Sequence, residues 1–149
     1  MIREDARQYC HDNQMHLLSI ESQEANEFVT DLVTENKDAI PNQFWILGYN
    51  ENLDPNNWVW QRPNLNSTNK PLTYKNWCRG EPNNKLKNEH FMAVIANCWH
   101  DVPGNFSWPS VCKRESKWKE CPSRIGPATK CLSNSKMDCY CLVSKRVTN

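Results

Sequence analysis

Residues 74–89 read Tyr74-Lys75-Asn76-Trp77-Cys78-Arg79-Gly80-Glu81-Pro82-Asn83-Asn84-Lys85-Leu86-Lys87-Asn88-Glu89. They lie inside a longer segment, 61–90, rich in Asn, Lys and Pro and without any strong apolar period. A polar loop of that length is unusual in a compact domain and commonly carries function. Within nine residues Glu81, Asn83 and Glu89 supply three oxygen-bearing side chains, and Asp101 adds a fourth downstream. Calcium needs several hard oxygen ligands in a small volume, so these four are the candidate metal ligands.

The regular patterns lie on either side of this loop. Upstream, residues 5–12 read as the end of a helix with Ala6, Tyr9 and Cys10 on one side, and His16 to Ile20 is a short strand-type run. Ser22 caps a second helix, Glu24 in its first turn is favoured by the helix dipole, and Phe28, Val29, Leu32 and Val33 form its apolar stripe. Pro41 closes the following connection, Phe44 to Gly48 reads as a buried strand ended by glycine, and Trp58-Val59-Trp60 is another. Downstream, Phe91 to Ile95 returns to strand, and Ser107 to Glu115 holds a last one with Pro109 at an edge or bulge. Helices first and antiparallel strands after them define an α+β order. Beyond Glu115 the composition shifts: 116–149 holds four of the eight cysteines and little apolar material besides Cys141-Leu142-Val143. The expected division is a domain over 1–115 and a disulfide-tied, cysteine-rich tail over 116–149.

A net charge of +1 over 149 residues, with Lys and Arg scattered, gives no electrostatic case for nucleic acid or for an anionic membrane surface. The local run from Lys113 to Lys119 is interrupted by Glu115 and reads as solvated surface. No stretch approaches the ~18–20 apolar residues of a membrane span, so membrane insertion is not expected. Eight cysteines without a C-x-x-C pair point to disulfides rather than zinc, and Cys139-Tyr140-Cys141 is too tight to replace such a pair. An oxidising, extracellular destination follows. Asn66-Ser67-Thr68 and Asn105-Phe106-Ser107 are N-glycosylation sequons in keeping with it. No apolar signal segment follows the charged start Met1 to Asp5; either the true N-terminus is missing, or this is a mature domain or a truncated gene model. No Ser or Cys sits in a nucleophile motif with a His base, so the chain is not expected to be an enzyme.

The sequence resembles a C-type lectin domain. The resemblance is carried, in the family's order and near its spacing, by these elements: Ala6-x3-Cys10; His16-Leu17-Leu18-Ser19-Ile20-Glu21-Ser22; Trp45-Ile46-Leu47-Gly48; Tyr74-x-Asn76-Trp77-x2-Gly80-Glu81-Pro82-Asn83-Asn84; Glu89; Trp99-x-Asp101; Val111-Cys112. It covers roughly residues 1–114; the tail has no counterpart in the family's basic domain. It implies a C-type lectin-like fold of two helices and antiparallel strands around a long loop region. The family's first strand is missing, because the chain begins inside the first helix, and Tyr140 to Lys145 is expected to fold back beside the last strand in its stead.

By the same resemblance Pro82 is cis, turning its neighbours' carbonyls towards one ion, and Glu-Pro-Asn goes with mannose-type sugars. The expected carbohydrate-binding residues are Glu81, Asn83, Glu89, His100, Asp101 and Trp108, the other tryptophans being core or loop anchors. Two departures weaken the site. His100 stands where the family has Asn, and imidazole is a poor calcium ligand. An acidic position of the auxiliary calcium site is His90, leaving one calcium site at most. The family implies a Cys10–Cys112 bridge; its second bridge would join the positions of Phe91 and Gly104, where both cysteines are absent. Cys78 and Cys98 are expected to pair instead, leaving Cys121, Cys131, Cys139 and Cys141 to pair among themselves in an order the sequence does not give. Two functions follow from the resemblance: calcium-dependent binding of mannose-type glycans or glycoproteins by a secreted lectin domain, or calcium-independent binding of a protein partner through the long loops.

Overall fold

The computed structural model describes residues 1–40, 42–61, 67–115, 120–126 and 129–144. Pro41, Asn66 of the first sequon, residues 116–119 of the basic run and Lys145 lie outside them. The elements run α1 (Arg3–Asp12), β1 (His16–Leu17), α2 (Gln23–Glu35), β2 (Gln43–Tyr49), β3 (Val59–Trp60), β4 (Lys70–Pro71), β5 (Phe91–Ile95), β6 (Cys98–Val102), β7 (Ser110–Arg114), β8 (Thr129–Ser133) and β9 (Cys139–Val143). This is the α+β arrangement expected from the sequence.

Helix α1 buries Ala6 and Cys10, and also Arg3, which is fully buried. Its guanidinium donates to Gln61 Oε1 at 2.6 Å and to the Leu47 carbonyl at 3.1 Å, and stacks over the Phe91 ring. Helix α2 begins at Ser22, whose hydroxyl accepts from the Ala25 amide at 3.1 Å, and turns Val29, Leu32 and Val33 inward.

One mixed sheet carries the fold, with strand order β4-β3-β2-β7-β9-β8; β1 also pairs with β7, β5 with β2, and β6 with β5. Trp45, Ile46, Trp60, Met92 and Trp99 are almost wholly excluded from water and form the centre of the core. Strands β5 and β6 are joined by Ala96 and Asn97, both with positive φ (51° and 70°), the two-residue geometry that matches the twist of a hairpin. That turn fixes the register Met92↔Asp101 and Ala93↔His100, and so fixes which face each β6 side chain takes.

The expected fold-back is present over its described part. β9 pairs antiparallel with β7 from Ser110↔Val143 to Arg114↔Cys139, and β8 lies on its far side. Cys139, Tyr140, Cys141, Leu142 and Val143 are all buried in the common core. The bridges are Cys10–Cys112, Cys78–Cys98, Cys121–Cys139 and Cys131–Cys141. At the positions aligned with the family's second bridge, the Phe91 ring lies on Gly104, so closely that a Cβ there would stand 2.6 Å from Phe91 Cε2. A large residue facing a small one occupies the place of the bridge. No helix among the described residues is long and apolar enough to cross a membrane.

Candidate functional site

The polar loop is held to β6 at its base. The Cys78 amide donates to the Trp99 carbonyl at 3.0 Å and the Trp99 amide to the Asn76 carbonyl at 2.8 Å, so the chain enters the loop along β6. The Trp77 ring packs edge-on against Trp99 and Trp58, and the Cys78–Cys98 bridge closes the attachment. Gly80 turns the chain with φ of 84°, a conformation a side chain would strain. The Glu81–Pro82 bond that follows is cis.

Residues of the motif then organise one another. Asp101, buried on β6, accepts from the Asn83 amide at 3.0 Å and the Asn84 amide at 2.6 Å, which fastens the loop across the strand. Asn83 Nδ2 donates to Glu81 Oε1 at 2.6 Å, and Asn83 Oδ1 accepts from the Lys85 amide. Asn84 Oδ1 accepts from the Glu89 amide, setting the end of the loop. Glu89 is itself buried, and its Oε2 has no hydrogen-bond partner. Unpaired buried carboxylate oxygens are costly and call for a compensating donor or cation.

The electrostatics follow from this crowding. Burial, and after it the neighbouring Asp101 and Glu89 charges, push the Glu81 carboxyl up to about 7. Burial and the Asp101 charge likewise raise Glu89 above the ordinary carboxylate range. Both shifts arise because negative charge accumulates where water cannot screen it. His100 projects beside Glu81, with Nδ1 3.7 Å from Glu81 Oε1, and burial lowers its pKa.

A cleft of about 240 Å³ opens beside these groups, lined by Pro82, Asn83, Glu89 and Asp101 on one side and by Asn50 and Trp58 on the other. The fold therefore gathers Glu81, Asn83, Glu89, His100 and Asp101 into one place. Trp108 lies elsewhere: its ring stacks on Phe106 (4.8 Å between centroids) and tilts against Trp45, and its backbone bonds to Met1. Sequence reasoning did not single out Asn50 or the part played by Asn84. Asn84 stands next to the motif and is readable in retrospect. Asn50 carries no local signal, since only tertiary structure buries it and places it on the wall of the cleft. Among the described residues, groups of three His, Cys, Asp or Glu ligand atoms within 4.8 Å of one another occur at Cys78, Cys98 and His100 and at Cys131, Cys139 and Cys141. The Glu81, Glu89 and Asp101 carboxylates are more widely spread than that.

Fold and loop together define a C-type lectin-like domain, and the chain belongs to the C-type lectin domain family, whose profile it matches over residues 1–114. Rabbit (Oryctolagus cuniculus) E-selectin is 28% identical over 148 residues, covering 94% of this chain and 25% of that protein. Mouse (Mus musculus) C-type lectin domain family 4 member K is 31% identical over 112 residues, 73% of this chain and 31% of that one. The chain thus spans between a quarter and a third of the length of these relatives. Among solved structures, a calcium-independent type II antifreeze protein superposes with a TM-score of 0.58 at 28% identity, covering 75% of this chain and 77% of that one.

Proposed function

We propose that the domain binds carbohydrate of the mannose type in a calcium-dependent manner, through one site formed by Glu81, Asn83, Glu89 and Asp101. The observation that carries this reading is the buried Glu89 carboxylate with an unpartnered Oε2 beside two further carboxylates drawn to the same loop. The donors are hard oxygens throughout, and they fit a calcium ion, which would offset the charge that raises Glu81 and supply open coordination positions for vicinal sugar hydroxyls. The chain's own contribution is orientation. Asp101 fixes Asn83 and Asn84 by their amides, Asn83 offers its side-chain N–H to a sugar oxygen, and Glu81 and Glu89 accept from sugar hydroxyls. His100 lies beside Glu81 where the family places a further amide, which weakens both ion and sugar binding. Trp108, remote from the cleft, would act only on an extended ligand. We further read residues 1–115 as the recognition domain, 116–149 as a cysteine-rich C-terminal segment whose β8 and β9 extend that domain's sheet and core, and the protein as secreted, glycosylated and non-enzymatic.

A second reading rests on a specific contact pattern. Both Asp101 oxygens already accept from backbone amides, and His100 supplies no amide donor. A loop so satisfied supports calcium-independent recognition of a protein surface. A thermal melt separates the two. Calcium at about 100 times its dissociation constant stabilises a folded-state binder by ~2.7 kcal/mol, about 5–10 °C for a domain of this size. Calcium-dependent capture on immobilised mannose, released by chelator, is the result expected. An unchanged melt at millimolar calcium, with partner binding that survives chelation, would establish the protein-binding reading instead. His100→Asn strengthens sugar binding if the rest of the site is intact.

A further inference from the structure

Three side chains near the base of the loop have chemistry that the calcium reading leaves unused. Cys98 and His100 are two apart on β6, and the strand's burial alternates so that both are half-buried on one face while Trp99 and Asp101 are buried on the other. Cys78 faces them from the loop, and one ligand atom from each of the three residues lies within 4.8 Å of the other two. A fourth donor stands close by: Glu81 Oε1 is 3.7 Å from His100 Nδ1. Glu81 is placed by the turn that Cys78 begins, since its amide donates to the Cys78 carbonyl at 3.0 Å. The pattern is Cys78-x2-Glu81 from one tight turn and Cys98-x-His100 from one strand face.

We propose that reduction of the Cys78–Cys98 disulfide creates a zinc-class metal site, with Cys78, Cys98, His100 and Glu81 as its ligands. Two sulfurs, one imidazole nitrogen and one carboxylate oxygen are the donors that Zn²⁺ selects and calcium does not. Bond lengths of about 2.0–2.3 Å place the ligand atoms of a tetrahedral zinc ion roughly 3.3–3.8 Å apart. The His100–Glu81 separation already falls in that range; Cys78, Cys98 and His100 form the group whose ligand atoms lie within 4.8 Å of one another, and Glu81, which stands outside that group, would complete the shell by turning its side chain towards the sulfurs. This inference does not rest on the calcium reading. Glu81 is common to both, so under that reading the reduced, zinc-loaded domain loses a calcium ligand.

Two further observations make this bridge the one to open. Cys10, Cys112, Cys131, Cys139 and Cys141 are buried, whereas Cys78 and Cys98 are both partly exposed, so only this bridge of the four offers both its cysteines to solvent. The loop also keeps its place without the bridge. The Cys78–Trp99 and Trp99–Asn76 backbone bonds hold the two chains together, Asn76 Nδ2 donates to the Asn97 carbonyl at 2.9 Å, and Trp77 stays wedged between Trp58 and Trp99. The chemistry balances simply. A dithiol gives two electrons and two protons to the Sγ–Sγ bond and closes to its own disulfide; binding of Zn²⁺ then releases both cysteine protons.

The test uses the whole chain, calcium-free, opened by limited reduction with a phosphine, which takes up the oxygen of a water and competes for the ion less than a dithiol does. Alkylation and mass spectrometry identify the thiols released, and Co²⁺ then serves as a spectroscopic stand-in for Zn²⁺. Expected are alkylation at Cys78 and Cys98 first, one equivalent of Co²⁺ per chain with a thiolate-to-cobalt charge-transfer band, and displacement of that ion by Zn²⁺. His100→Ala, which keeps every cysteine, weakens binding at least about tenfold. The oxidised protein gives no band. A Cys78→Ser/Cys98→Ser double variant, checked for its native near-ultraviolet spectrum, gives none after the same treatment. The proposal is overturned if another bridge opens first, if His100→Ala binds Co²⁺ as tightly as the parent, or if the double variant retains the band.

Discussion

Replacing Glu81 by Gln in the calcium-free protein should abolish a defined part of its pH dependence. The Glu81 carboxyl titrates near 4.5 in the unfolded chain and is raised to about 7 in the folded one, by burial first and then by Asp101 and Glu89. Below pH 4.5 both states are protonated and the group costs nothing. Between those values the folded state holds a proton that the unfolded state has lost, so stability declines as pH rises, and above about 7 the full penalty is present. At about 1.36 kcal/mol per pH unit the gap gives a ceiling of about 3.4 kcal/mol. The Glu81 side chain is only 10% exposed, so solvent screening removes little of this. Coupling to two other carboxylates removes more, and about 1–3 kcal/mol is a fair range. Gln has the shape of the protonated acid and no charge to lose. The variant should therefore match the parent near pH 4 and exceed it at pH 8, by about 3–10 °C in Tm. Burial lowers the pKa of His16, which lies away from Glu81 and cancels in the difference, and it lowers that of His100, whose imidazole beside Glu81 is uncharged in both proteins at pH 8. Parallel melting curves for the two proteins across pH 4–8 would refute the claim that crowded carboxylates destabilise the calcium-free loop.

Three further outcomes concern the scaffold. Ser22→Ala removes the hydroxyl that accepts from the Ala25 amide and should cost about 1 kcal/mol, read as a lower urea midpoint at unchanged slope. Gly104→Ala forces a methyl group into the Phe91 ring and should destabilise by roughly 1–3 kcal/mol. In the Phe91→Leu background the same change should cost markedly less, a coupling that a double-mutant cycle measures. Leu142→Ala, at a fully buried position of β9, should cost about 2–5 kcal/mol by denaturant melting; a loss under 1 kcal/mol would mean that β9 contributes little to the core.

The strands that read well in the sequence are those whose burial is written as a continuous apolar run, such as Phe44 to Gly48 and Phe91 to Ile95. The Cys10–Cys112 pairing was legible only through the family resemblance. The β8 strand was not legible, because Thr129-Lys130-Cys131-Leu132-Ser133 shows no apolar run and gains its place from pairing with β9 and a bridge to Cys141. Arg3 reads as a surface cation, yet its partner Gln61 lies 58 residues away and no local pattern announces a buried guanidinium. At the site, Glu81, Asn83, Glu89 and Asp101 were nameable from spacing. That Asp101 would spend both oxygens on loop amides depends on the β5–β6 register, which only the folded hairpin determines.

The position of β9 also bears on the order in which the molecule can assemble. β9, the last of the described strands, lies between β7 and β8, with Cys141 in register with Cys112, the residue that ties the sheet to α1 across 102 positions. During synthesis every other described strand leaves the ribosome before the one that completes this part of the sheet. Until then β7 has one unpaired edge, and unpaired edges recruit foreign strands. Folding dominated by such distant pairings is slow. The chain therefore passes through a vulnerable interval whose length is set by the arrival of residues 115–143, and oxidation of Cys10 and Cys112 before that moment would hold the open sheet in place to receive them.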